Sequence, residues 1–228
     1  MKINLGVFRC FDGRTLSFFL RDGTVDFNAI QSVIVHDEYD FKYLNLEKGS
    51  TIIDIGAYNG GEAVYFGSLP LNLKIYSYEP LPENVGMIKM NLKQNNCNVN
   101  VFQMAVGGKN GKIKMFYGDT VHKFIGNYNS CGKDLAEVKM ISLEQIFKDN
   151  HIEHCDLLKV DSEGGEKEMF ENCPREILEK IDLIIGERHN ISEEDLLKLT
   201  KGVFVTKDCS YRELSSHLGH FKFRNKKL

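Results

Sequence analysis

The sequence predicts an α/β fold: a Rossmann-like, three-layer sandwich with a mostly parallel sheet and helices on both faces. Three observations predict it. From residue 51 onward, short apolar runs rich in Ile, Leu and Val alternate with stretches of helical length, the pattern of successive βαβ units. The first of these runs ends in a carboxylate and a glycine-rich turn, TIIDIGAYNGGE at 51–62. Later runs also end in charged residues, at KIYSYEP (74–80), CDLLKVDSEGGE (155–166) and IDLIIGERHN (181–190). Open parallel sheets bind ligands at the carboxyl ends of their strands, where these charges fall.

Residues 3–21 alternate around Asp12-Gly13 and are expected to form a β-hairpin. Residues 24–35 are expected to form a short helix, and Asp37–Tyr39 leads into the next element. Strand 51–55 precedes helix 60–67, and strand 73–78 precedes helix 82–95. Strand 99–104 leads to a hairpin through 112–117 and 137–141. Helix 142–149 precedes strand 156–161, helix 165–172 follows it, and strand 181–187 precedes helix 192–200. Two further strands are expected at 202–207 and 219–224. No internal repeat interrupts this order, and 228 residues suit one domain, with 1–48 as a lead-in or cap and 49–228 as the core.

Composition narrows the class. A net charge of −3 gives no electrostatic reason to expect nucleic-acid binding, and the basic tail after Phe221 is short enough to be a solvated terminus. The six cysteines show no CxxC and no paired spacing, which fits reduced thiols in a cytoplasmic protein better than disulfides or zinc. No apolar run could span a bilayer. Oligomeric state has no signature here.

The turn after Asp54 carries Gly56, Ala57, Gly60 and Gly61, small residues that let a ligand approach the main chain. The helix behind it is expected to start with its N–H groups toward that ligand. Glu79 closes the next strand 25 residues later, where an acid accepts hydrogen bonds from both hydroxyls of a ribose. Nicotinamide dinucleotides use a similar acid, but residues 54–61 contain no G-x-G-x-x-G to cradle a pyrophosphate. An acid just before the glycine suits an adenosine that carries an amino acid, as S-adenosylmethionine does.

Along residues 155–166, Lys159, Asp161 and Glu163 share one face of the strand end. Charges at the end of a buried strand cost desolvation unless paired. They read either as a structural ion pair or as a site built for chemistry; Glu166 reads as a helix-dipole complement. Glu187 and His189 share a side at the end of another strand and would face that cluster if the strands are neighbours. His151 and His154 fall at the opposite strand end. His217 and His220 have i,i+3 spacing without a partner for metal binding. Asn127, Asn129 and Ser130 lie in an insertion whose composition alone would supply them.

Taken together, DIGAYNGG, YEPLPENVGMIKMNLKQN, DLLKVDSEGGE and IIGERHN resemble the FkbM family of S-adenosylmethionine-dependent methyltransferases. Weaker similarity extends upstream through FLRDGTVDFNAIQSVIVHDEYD. The resemblance implies a class I methyltransferase fold, a seven-stranded sheet ending in an antiparallel hairpin. It also implies O-methylation of a sugar or natural-product intermediate, with S-adenosylhomocysteine as product. Carried over by residue, Asp54, Gly56 and Gly60 would line the methionine part of the cofactor, beside Ala57 and Tyr58. Glu79, with Pro80 after it, would hold the ribose, and Asp161 would sit near the amino acid or the methyl. Met104 replaces an acid that often contacts adenine, leaving backbone at Ala105 or the side chain of Gln103 for that task. Tyr58-Asn59 departs from a common family version, which leaves the role of Asn59 open.

Methyl transfer to a hydroxyl needs alignment and a proton acceptor. Glu163, Glu187 and His189 are the candidate bases, and Lys159 could orient an acid or a bound hydroxyl. A divalent metal held by Asp161, Glu163, Glu187 and His189 is a less favoured variant because Lys159 is close. The acceptor expected is a small molecule or carbohydrate. With no tryptophan in the chain, a sugar-stacking ring would come from Tyr39, Phe124 or Tyr128. The rival readings are a catalytically silent adenosine-binding or scaffold protein and a nicotinamide-dependent oxidoreductase.

Overall fold

The computed structural model describes residues 2–117, 134–208 and 218–228. The chain opens with β1 (Ile3–Arg9) and β2 (Thr15–Arg21), paired antiparallel as the expected hairpin. The helix expected over 24–35 is α1 (Asp26–Ile30) followed by a π-helical turn at Gln31–Val35, with His36 N–H donating to the Gln31 carbonyl. A 3-10 turn at Phe41–Tyr43 leads to β3 (Thr51–Ile55) and α2 (Gly61–Gly67). There follow β4 (Lys74–Tyr78), α3 (Pro82–Gln94) and β5 (Asn100–Phe102).

The insertion is larger than a hairpin. Strand β6 (Ala105–Gly107) pairs parallel with β8 (Asp134–Ser142), which pairs antiparallel with β7 (Gly111–Tyr117). The strand expected over 99–104 is shorter, β5 alone, and the next strand, β6, joins a separate three-stranded sheet. Next come α4 (Leu143–Asp149), β9 (Cys155–Val160), α5 (Glu166–Asn172) and an additional short helix, α6 (Arg175–Leu178). The chain ends with β10 (Ile181–His189), α7 (Glu193–Leu199), β11 (Phe204–Thr206) and β12 (Leu218–Asn225).

Among the described residues the main sheet has seven strands in the order β11-β12-β10-β9-β3-β4-β5. Strands β3, β4, β5, β9 and β10 run parallel, and β12 runs antiparallel to both β10 and β11. Side-chain alternation builds the three layers. Ile53, Leu158 and Ile184 face Ile146, Phe170 and Leu196 of one helical layer. Their neighbours Ile52, Leu157 and Ile185 face Val64 and Ile88, together with Phe18 and Leu20 of the hairpin. The N-terminal segment thus completes the second layer.

From β3 the chain moves outward through β4 and β5, and from β9 it moves the opposite way through β10. The gap beyond the carboxyl ends of β3 and β9 is the topological switch point, where such sheets bind ligands.

Candidate active site

A cavity of about 820 Å³ opens there. Gly56, Tyr58, Glu79, Asp161, Glu163 and Glu187 line it from the strand ends, while Arg21, Glu38 and Tyr39 line it from the N-terminal segment.

The turn after β3 is shaped by three left-handed residues, Gly56 (φ 77°), Tyr58 (φ 46°) and Gly60 (φ 88°). At Gly56 only glycine fits, because a Cβ would lie 1.7 Å from the Asp161 carbonyl oxygen. The turn is tied to the end of β4: Gly56 and Ala57 N–H both donate to the Tyr78 carbonyl, at 3.0 and 3.1 Å. Tyr58 N–H donates to Glu79 Oε2 at 3.0 Å, while Glu79 Oε1 accepts from Leu81 N–H at 2.9 Å and Asn84 Nδ2 at 3.2 Å. Burial pushes the Glu79 carboxyl up to about 7 against these bonds. A carboxylate has about four acceptor positions, so a place remains on its cavity-lining side for a hydroxyl.

Asp54, expected beside the methionine part of the cofactor, is fully buried behind the wall. Its Oδ2 accepts from Ser77 Oγ at 3.0 Å, and its Oδ1 lies 3.7 Å from Lys159 Nζ. Burial raises its pKa to about 7, with Lys159 pulling the other way. Lys159 is 1% exposed and donates to the Gly56 carbonyl at 3.1 Å and to Glu62 at 2.9 Å. Burial alone would lower its pKa, but Glu62, Asp54 and Asp161 outweigh that and hold it charged. The lysine is a buried hub that ties the glycine turn to β9.

Asp161 presents a side chain whose Oδ1 is buried without a hydrogen-bond partner. Its Oδ2 accepts from Tyr39 Oη at 3.4 Å. Glu163 stands at φ 53°, with Oε2 3.5 Å from His189 Nε2. On the other side of that ring, Nδ1 lies 3.2 Å from Glu166 Oε1. Glu166 does more than complement a helix end. It is fully buried and accepts from Ser162 N–H, Ser162 Oγ and Gly164 N–H, which fixes the loop that carries Glu163.

Burial alone would push the His189 imidazole down, but the Glu166 bond and the Glu166, Asp161 and Glu163 charges raise it to about 9. His189 lies outside the cavity lining, whereas Glu187, two residues earlier, is on the wall. Burial and Asp161 push Glu187 up to about 7; burial and Asp161 do the same for Glu163. Asp161, Glu187 and His189 offer ligand atoms within 4.8 Å of one another. Lys159 Nζ stands 4.0 Å from Asp161 Oδ2 and both ring nitrogens of His189 face carboxylates, so a cation there would compete with charges already in place.

Several expectations change in detail. Gln103 is exposed and outside the cavity lining, which instead includes Met104 and Ala105. Asn59 lines the cavity, but its Nδ2 donates to the Asp26 carbonyl at 3.2 Å, and its backbone carbonyl accepts from Asn91 Nδ2 at 2.9 Å. Pro80 lines the cavity, while Ala57 and Gly60 lie behind it. The Tyr39 ring stacks on Phe41, meets His220 edge-on and has Lys159 Nζ over it, so it is no free platform for a sugar. His154 pairs with Asp182 at 2.9 Å on the surface, at the far strand end. Phe124, Asn127, Tyr128, Asn129, Ser130 and His217 fall outside the described residues.

The N-terminal contribution escaped sequence reasoning. Arg21 forms an ion pair with buried Asp26 at 2.8 Å, donates to Asn84 Oδ1 at 2.8 Å and lies over the Tyr58 ring. Asn84 in turn holds Glu79. The signal available was FLRDGTVDF, in which an Arg and an Asp flank a turn, but nothing local pairs them with residues 58, 79 and 84.

A glycine turn, an acid closing the next strand and an orphaned carboxylate oxygen at the switch point define the class: an α/β protein with an adenosine-type cofactor site. The description Methyltransferase FkbM domain matches residues 54–213, and the chain belongs to that family. It is an S-adenosylmethionine-dependent methyltransferase. No curated protein matches it in sequence. Among solved structures, a candidate SAM-dependent methyltransferase from Streptococcus mutans is similar at 12% identity and TM-score 0.51, over 96% of this chain and 55% of that one. TrmK of M. capricolum, bound to S-adenosyl-homocysteine, aligns at 15% identity and TM-score 0.47, over 81% of this chain and 65% of that one. An rRNA methylase from Streptococcus thermophilus aligns at 12% identity and TM-score 0.48, over 83% and 95%. At such identities these likenesses concern the fold.

Proposed function

We propose that this methyltransferase acts on a hydroxyl of a sugar or natural-product intermediate, and that the acceptor portion entering the cavity carries no phosphate. The observation that carries the reading is the charge of the acceptor end. Glu38, Glu62, Asp161, Glu163 and Glu187 line it, and Lys159, the cation among them, is consumed by Glu62 and the Gly56 carbonyl. Protonated or ionised, these carboxyls hydrogen-bond a neutral hydroxyl, and as they ionise they repel a phosphate. An RNA acceptor would meet the wrong sign of field.

When bound, S-adenosylmethionine supplies an electrophilic methyl. In this reading Glu79 and Pro80 take the ribose, Met104 and Ala105 flank the adenine, and Gly56 with Asp161 takes the amino-acid end. The unpartnered Asp161 Oδ1 is the donor-seeking atom that fits an ammonium. Lys159 and His189 hold the acids in place rather than touch the acceptor. Removing one charge-assisted hydrogen bond costs about 1.5–3 kcal/mol, so Asp161→Asn and Glu79→Gln should each weaken S-adenosylhomocysteine binding about 10- to 100-fold.

The activity test is a panel of neutral glycans and polyols, nucleotide sugars and structured RNA, read by S-adenosylhomocysteine release. Turnover is expected with neutral acceptors. Release with RNA but with no hydroxylated small molecule would overturn the assignment. Tight S-adenosylhomocysteine binding with no release from any acceptor would favour a silent binding protein.

A further inference from the structure

The segment Asp37–Asp40 has a geometry that the hairpin and the sheet do not require. Asp37 (φ 55°) and Asp40 (φ 57°) are both left-handed, and they flank Glu38 and Tyr39. Paired non-glycine residues in that region persist only where surroundings over-determine them, and such strain gathers at functional sites. Here the surroundings do. Asp37 Oδ1 accepts from Phe41 N–H at 2.6 Å and its Oδ2 from Lys42 N–H at 3.3 Å. Glu38 N–H donates to the Ser32 carbonyl at 3.2 Å, and Asp40 faces Lys222 of β12 at 4.0 Å. The pinned turn delivers both Glu38 and Tyr39 to the cavity wall.

We propose that Glu38 is the general base that takes the acceptor's hydroxyl proton, with Tyr39 as the positioning residue that holds Asp161 beside it. This assignment rests on the hydroxyl-methylation reading above. In the transfer, the acceptor oxygen forms its bond to the methyl carbon as the methyl–sulfur bond breaks. The hydroxyl proton passes to the Glu38 carboxylate, which later releases it to water.

Glu38 suits this task better than the acids the sequence singled out. Glu163 is drawn to His189 at 3.5 Å, and Glu187 offers its oxygen within 4.8 Å of both His189 and Asp161; Glu62, which the sequence did not single out, is bound to Lys159 at 2.9 Å. Among the described residues the Glu38 carboxylate accepts no hydrogen bond and forms no ion pair, so it is open to a substrate proton. The charged groups facing it are Glu62 of α2, Lys159 of β9, Asp161 after β9 and Glu187 of β10. Burial and Glu62 push its carboxyl up to about 8, with Lys159 opposing and Asp161 and Glu187 adding. A base tuned near the working pH is the efficient one. Tyr39 cannot serve instead, because burial and Asp161 hold its phenol well above the ordinary range.

The test reads the titration of Glu38 directly and needs no acceptor. Glutamate carboxyls are labelled with 13C, and the Glu38 resonance is assigned by its loss in Glu38→Gln, or by its replacement in Glu38→Asp if the amide variant does not fold. The complexes compared hold S-adenosylhomocysteine, whose sulfur is neutral, or an analogue with an ammonium at the sulfonium position. The expected result is a midpoint raised well above the ordinary carboxylate range in the neutral complex, falling by at least about one unit when the cation is adjacent. An ordinary carboxylate midpoint, or the same midpoint in both complexes, would overturn the assignment.

With a hydroxyl acceptor in hand, Glu38→Gln should lower kcat about 10²- to 10⁴-fold and flatten its pH profile, with S-adenosylhomocysteine affinity within about twofold. A merely structural residue would lower stability and leave the profile's shape. If no hydroxyl acceptor exists, the function reading fails on the turnover panel, while the titration still decides whether Glu38 faces the transferring group.

Discussion

Lys159 shows how much one side chain can organise. It stands near the end of β9 between Leu158 and Val160, opposite Ile185 of β10 and Asp54 of β3, in a place where a charge costs several kcal/mol unless paired. The cost is offset because its three donors meet Gly56, Glu62 and the Asp54–Asp161 pair, all brought within 4.0 Å. The same bonds set the height of the glycine turn against β9, so the residue links packing to the shape of the cavity wall. Replacing it leaves buried Asp54 and Glu62, and Asp161 on the cavity wall, without their cation. Lys159→Met should therefore destabilise the protein by about 3–5 kcal/mol, measured by chemical denaturation. Adding Glu62→Gln to that variant should recover part of the loss, since one of the stranded charges is gone. A double variant no more stable than Lys159→Met would show that the pair is not the source of the effect.

At the level of elements, the N-terminal hairpin is held by an unusual joint. Asn91 of helix α3 and Asn95, its C-cap, stand one turn apart toward the edge of β2. Each acts like a strand partner. Asn91 accepts from Phe19 N–H at 2.7 Å and donates to the Phe19 carbonyl at 3.3 Å. Asn95 treats Ser17 in the same way, at 3.1 and 2.7 Å. Two helical amides satisfy alternate residues of an edge that would otherwise expose its backbone. Asn91→Ala leaves buried backbone groups unpaired and should cost about 1–3 kcal/mol. Faster amide exchange at Phe19, with exchange in β3 and β9 unchanged, would place the loss at the joint; uniform loss across the sheet would contradict it. This joint also marks where sequence reading stops. The glycine turn, Glu79 and Asp161 were legible because each chemical reason is local: a strand, its last acid, a tight turn. The charged ends of β9 and β10 were legible for the same reason. Arg21, Asp26 and Glu38 were not, because their partners lie at residues 58, 79, 84 and 161, and no periodicity encodes which helix face meets which strand edge. The π-helical turn was hidden too, since Gln31–Val35 has the composition of an ordinary helix.

For the molecule as a whole, the concentration of carboxylates at one end of the sheet couples stability to pH. Burial raises Asp54, Glu79, Glu163 and Glu187 to about 7 and Glu38 to about 8, while carboxylate partners raise His189 to about 9 despite burial. A group whose folded pKa lies above its unfolded value contributes stability below the unfolded pKa and loses it as pH rises through the folded one. The five carboxyls and the histidine therefore act in the same direction: the folded protein binds more protons than the unfolded chain, and stability falls from pH 6 to pH 9. In a domain of this size, 1 kcal/mol corresponds to about 2–4 °C, so the ligand-free protein should lose at least about 5 °C of Tm across that window. A cationic ligand relieves the repulsion that a neutral one leaves in place. The thermal shift given by S-adenosylmethionine should then exceed that of S-adenosylhomocysteine, and the gap should widen as pH rises and the carboxylates ionise. Differential scanning fluorimetry at fixed ligand excess reads both trends. A Tm that rises with pH, or a gap that closes at high pH, would mean that the acids are not neutralised in the folded protein, and that the cavity does not use its charge to favour substrate over product.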